Sequence, residues 1–177
     1  MARIGAFIFA LFASLLLTVG ATPTDIENRD LIAGIINGLG IGLVAKIDAF
    51  ITLDSLETNL ISVDVDIKNP LLLELTLTRV VSSAGINETV YATFDHTFDT
   101  PVVVPPFKTV NSGSIPDVLL VKGALNSLDI IPLEKLDLIS TDVYLRAATI
   151  HGKLGIPLVI KGLKQSNVPT NYTLTLS

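Results

Sequence analysis

From Leu60 onward the chain alternates. In "LISVDVDIK" the side chains of Ile61, Val63, Val65 and Ile67 fall on one face of an extended strand, and those of Ser62, Asp64, Asp66 and Lys68 on the other. A sheet with one dry face has to cover that face, by stacking on a second sheet or by rolling up. Asn69-Pro70 then ends the strand, because proline has no N–H for the ladder and holds the residue before it extended. "LLLELTLTR" resumes at once, with Leu73, Leu75 and Leu77 opposed to Glu74, Thr76 and Thr78. "SSAG" at 82–85 carries turn residues, and "TVYATFDHTF" follows with Val90, Ala92, Phe94 and Phe98 in phase. Pro101, Pro105, Pro106 and Pro116, with "NSGS" at 111–114, place edge strands and loops in the middle of the chain. "DVLLVKG" reads as a short strand, and "ALNSLDIIPLEKLDL" as either a short helix or an irregular connection. Alternation returns at Val143, Leu145 and Ala147 and runs through "GIPLVIKG" and "NYTLTLS". Roughly six to eight strands with turn residues between them predict a mainly β, antiparallel β-sandwich.

The first residues have a different character. Arg3 precedes an uncharged apolar run at 4–19, and "VGA" at 19–21 supplies small residues for cleavage, the pattern of a secretory signal removed after Ala21. A retained anchor is the other reading of that run. Cleavage leaves 177 − 21 = 156 residues, enough for one domain, with a net charge of 11 − 17 = −6. Such an acidic chain is unsuited to nucleic acid and to docking on anionic headgroups by charge alone, and no Lys/Arg cluster is visible in its sequence to support either. With no cysteine there is no disulfide framework or thiolate metal site. Asn87-Glu88-Thr89 and Asn171-Tyr172-Thr173 are glycosylation sequons, which predict exposed asparagines on a secreted or cell-surface glycoprotein.

Residues 22–50 read as an amphipathic helix. Thr24 and Glu27 have capping-box spacing, and Ile32, Ile35, Ile36, Leu39, Leu43, Ile47 and Phe50 recur at helical intervals. Gly34, Gly38 and Gly42 share a face that permits close approach. The expected organisation is a signal peptide at 1–21, a helix at 22–50 and a sandwich at 51–177. If the helix lies over the sheet, Ile35, Leu39, Leu43 and Ile47 would line a gap able to take an acyl chain.

Catalytic constellations are missing. Asp64 and Asp66 sit about 7 Å apart along one strand face, on its polar side with Lys68, without the cleft of a glycosidase or the oxygen-rich loop of a calcium site. His96 lies between Phe94 and Phe98, and His151 precedes Gly152 at a turn; two histidines cannot make a His₃ zinc site. No serine stands in a G-x-S-x-G elbow, and "GLGIG" at 38–42 lacks dinucleotide-loop spacing. The residues predict a non-enzyme with no cofactor and no metal.

"VDVDIKNPLLLELTLTRV", "TVYATFDHTF", "VVVPPF" and "DVYLRAATIHGKLGIPLVI", in that order, are similar to the late embryogenesis abundant group 2 domain, also called the water-stress and hypersensitive-response domain. The chain resembles small secreted fungal proteins that carry such a domain. The resemblance implies a fibronectin/immunoglobulin-like sandwich with a small helix and no catalytic centre. It also implies a structural turn at Asn69 and Pro70. Two functions follow as expectations: binding of an apolar ligand or lipid, with a lipid or membrane surface as partner, or a structural, stress-protective role in the cell wall or matrix. A cell-wall or protein partner is not specified by either.

Overall fold

The alternation read from the sequence becomes a wall with an inside and an outside. The computed structural model describes residues 42–176. Its strands are β1 (Val44–Thr52), β2 (Leu60–Lys68), β3 (Leu75–Ile86), β4 (Thr89–Val104), β5 (Thr109–Leu120), β6 (Lys135–Ala147) and β7 (Ile156–Thr175). Two short helices, α1 (Leu53–Thr58) and α2 (Ala124–Ser127), and a 3₁₀ turn (Leu128–Leu133) connect them.

The strands close into a barrel in the order β1-β2-β5-β4-β3-β6-β7, which replaces the expected sandwich. Both architectures bury one face of each strand, so the period of two cannot separate them. The last strand decides the matter. β7 pairs antiparallel with β6 from Ile156 to Pro169, then parallel with β1 from Thr170 to Thr175. Gly162 (φ 61°) and Asn167 (φ 56°) lie in the irregular stretch of the β6–β7 ladder, where bulges bend a strand from one neighbour to the next. Before the β1–β7 ladder begins, the Gln165 side chain completes the join: its Nε2 donates to Val44 O (2.6 Å) and its Oε1 accepts from Val44 N (3.1 Å).

The predicted helix at 22–50 is a strand where it is described: residues 44–50 belong to β1. A spacing of four is even, so Leu43, Ile47 and Ile51 share a face in a strand as well as in a helix. Ile47, Ala49 and Ile51 are accordingly buried, while alternate residues reach outward. Residues 1–41, with the signal segment, Ile35 and Leu39, lie outside the described residues. Two other turns moved. "SSAG" (82–85) is inside β3, whose turn comes at Asn87 and Glu88, and "NSGS" (111–114) is inside β5.

Asn69 is 1% exposed and ties one end of the barrel. Its Nδ2 donates to the carbonyls of Leu73 (2.7 Å), Val104 (3.0 Å) and Pro105 (3.2 Å), and its Oδ1 accepts from Leu71 N (2.9 Å). Its own N–H donates to Lys108 O (2.9 Å). One amide thus joins the β2–β3 loop to the β4–β5 loop, with Pro70 starting the bend. The opposite end is held by Asn59, whose Oδ1 accepts from Ala124 N (2.8 Å), and is covered by buried Ala124 and Ile130. Asn69→Ala strands several buried carbonyls at about 1 kcal/mol or more each, so a loss of about 3–4 kcal/mol is expected in urea unfolding.

Candidate functional site

Inside the barrel is a cavity of about 110 Å³. Ile47 and Ala49 of β1, Val63 and Val65 of β2, and Phe94 and Phe98 of β4 line it, with Ile115, Val118, Leu163 and Ile130 farther round. Leu43 and Ile47, two of the residues proposed from sequence to contact a ligand, are both on this wall; the barrel interior replaces the helix-on-sheet gap.

Its few polar side chains are mostly satisfied by each other or by backbone. Ser82 and Thr141 share a hydrogen bond (2.7 Å) across β3 and β6. Ser112 Oγ donates to Gly113 O (2.7 Å) and accepts from Val65 N (3.0 Å). Tyr172 differs. Its hydroxyl is buried among the lining residues and is the one buried side-chain polar atom without a partner among the described residues. Burial pushes its pKa up to about 12, so it stays protonated and remains a donor. In the sequence Tyr172 is the middle residue of the Asn171 sequon, and its phase in "TNYTLT", in step with buried Thr170, is the one signal that it points inward.

The wall has a slit. β4 and β5 are joined at one end by the loop at 105–108, yet they pair only at Ala92↔Leu120 and Thr93↔Leu119, at the other end. Val121 N donates to Tyr91 O (2.9 Å) beside those pairs. Between the two closures the strands splay, and cavity-lining Phe94, Phe98, Ser112 and Ile115 flank the gap. Unpaired edges and a dry interior meet along this line.

The carboxylates singled out in the sequence lie elsewhere. Asp64 pairs in register with Asp48 on β1, and Asp66 with Lys46, on the outer face. Lys46 bonds Asp48 at 2.8 Å and Asn111 Nδ2 donates to Asp66 Oδ1 at 2.9 Å, while desolvation, then Asp48 and Asp66, raise the Asp64 pKa. His96 packs edge-on against Phe98 with ring centroids 4.8 Å apart, and His151 is exposed. Among the described residues no group of three or more His, Cys, Asp or Glu is placed to hold a metal ion. Asn87 and Asn171 are both exposed. No helix of the described residues is long and apolar enough to cross a membrane.

No family model matches the chain, and no curated protein matches it. Among solved structures, a crystal structure of a protein from Archaeoglobus fulgidus is similar over 61% of this chain and 84% of that one, at 11% identity and a TM-score of 0.27. So remote a likeness carries no argument about fold or function.

Two outcomes test the site's electrostatics. Tyr172→Phe removes a buried hydroxyl that has no partner, so unfolding free energy should stay level or rise by up to about 1 kcal/mol. Asp64 has a raised folded-state pKa, so its ionisation destabilises the fold above that pKa. Asp64→Asn should therefore raise Tm at pH 7, with the gain vanishing as pH falls below the carboxylate range.

Proposed function

We propose that this protein is a secreted, non-enzymatic barrel that carries a small apolar molecule bearing one neutral oxygen. The cavity with a single unpartnered hydroxyl is the observation that carries the reading. The one charged residue of the lining, Lys68, is exposed at the end of β2, so a carboxylate held beside Tyr172 would lose its hydration without a buried cation to replace it, whereas a ketone, ester or alcohol oxygen accepts from Tyr172 at little cost.

Size narrows the ligand. About 110 Å³ falls below the roughly 150 Å³ that admits benzene in an engineered cavity and well below the roughly 300 Å³ of ordinary ligand pockets. The closed barrel therefore takes a compact body or the end of a chain. A longer ligand enters by parting the β4–β5 slit, whose opening breaks few backbone hydrogen bonds. The sequence resemblance to the late embryogenesis abundant group 2 domain is compatible with a binding role and supplies no catalytic one.

The test uses the chain from a secreting eukaryotic host. Native mass spectrometry should find a non-protein mass that organic solvent removes, beside glycans on Asn87 and Asn171. Saturating xenon or cyclohexanone should raise Tm by mass action, and Ala49→Leu, which fills the cavity, should abolish that rise. A clean polypeptide-plus-glycan mass with no probe response would leave the structural, stress-protective role as the better reading.

A further inference from the structure

The Asn69 end of the barrel carries large apolar side chains in water. Three segments meet there: residues 69–74, 105–108 and 148–155. Phe107 N donates to Leu71 O (3.3 Å), Thr149 N to Glu74 O (3.4 Å), and Gly152 N to the Glu74 carboxylate (2.9 Å). From this tip project Leu72 (49% exposed), Phe107 (62%), Ile150 (66%) and Leu154 (74%).

Two of them sit where the backbone disfavours them. Phe107 has φ 57° and Leu154 φ 61°, left-handed values that glycine or asparagine adopts at lower cost. Neither recovers that cost by burial in the barrel. Ala148 (φ 56°) and His151 (φ 51°) share this conformation in the same tip, so the left-handed turns shape the loops and hold the two large apolar side chains in water.

Charge identifies the contact. Lys68, Lys108, Arg146 and Lys153 are exposed in these segments or at the strand ends abutting them. Ion pairs among the described residues join Lys46 to Asp48 and Arg79 to Asp95, so these four cations are not paired. The single acid of the tip, Glu74, is engaged by Gly152 N and by Thr149 Oγ1 (2.9 Å). The opposite end also exposes apolar residues, such as Leu53, Leu125 and Leu133, but sets them among Asp54, Glu57, Asp129 and Glu134, which outnumber Lys122 and Lys135 there. A chain of net charge −5 is thus basic and apolar at one end only.

We propose that the tip formed by Leu72, Phe107, Ile150 and Leu154 docks on an anionic lipid bilayer, apolar side chains in the acyl boundary and the four cations at the headgroups. Apolar insertion plus cationic attraction is the general requirement for binding in the interface. The proposal is independent of the interior cavity.

The sequence contains no tryptophan, so Phe107→Trp gives the full chain a single reporter, and Leu125→Trp a matching one at the far end. With phosphatidylcholine–phosphatidylserine vesicles, emission of the first should shift to the blue and that of the second should not. This reports the tip's own surroundings, whatever other segment holds the protein. Lys108→Gln with Lys153→Gln should weaken binding about thirtyfold, and salt should weaken it too. Phe107→Gly with Leu154→Gly should abolish binding while leaving Tm level or higher, since glycine accepts both φ values. No blue shift at position 107, or an equal shift with phosphatidylcholine alone, overturns the assignment. A blue shift that follows protein concentration without lipid would identify a second copy as the occupant, and also overturns it.

Discussion

A closed ring of seven strands cannot be antiparallel throughout. Going round, direction must alternate, and an odd number leaves one neighbouring pair pointing the same way. Here that pair is β1 with β7, and the other six ladders are antiparallel. Parallel neighbours cannot be joined by a tight hairpin, so the join falls between the first and last described strands, where no short connection is required. The consequences reach far. β7 must be long enough to serve β6 and then β1, it must bend at Gly162 and Asn167, and Gln165 must stand in for backbone partners of Val44.

Closure on that side coincides with looseness on the other. β4 and β5 follow one another in the chain, yet they meet in register only at Ala92 and Thr93. Asn69 holds their connecting loop against the β2–β3 loop, so the slit is framed at both ends and weakly bonded along its length. In the proposed carrier role, that combination is the route by which a ligand would reach the dry interior without unfolding the barrel. Tyr172 sits in the same interior on the strand that closes the ring, which links the closing device to the candidate binding group.

The two ends of the barrel differ in chemistry because the loops there come from distant parts of the chain. Lys68, Lys108, Arg146 and Lys153 are spread over 86 positions (153 − 68 + 1) and form no run. Topology gathers them at one rim, as it gathers Leu72, Phe107 and Leu154. Net charge describes the average of a surface, whereas docking depends on its local sign.

In β2 the inward side chains were legible from alternation alone: Ile61, Val63 and Ile67 are buried, Asp64 and Asp66 are not, and Asn69-Pro70 does end the strand, whereas in β3 Thr76, on the outward phase of the sequence, is 1% exposed and hydrogen-bonded to Thr149 (2.8 Å). Those properties are local, set by the two-residue period of extended backbone and the missing N–H of proline. The identity of β1 was not legible, since the spacing of Leu43 and Ile47 suits strand and helix equally and Phe50, which continues a helical stripe, lies on the outer phase of the strand. The choice of barrel over sandwich was not legible either, because it rests on pairing β1 with β7 and on the bulges that bend β7. Tyr172 looked like any strand tyrosine until the closed wall left its hydroxyl without a partner. The sequence by itself determined that the chain folds as strands with one dry face. Only the tertiary structure decided what that face encloses and what the rims present, because both depend on contacts between residues far apart in the chain.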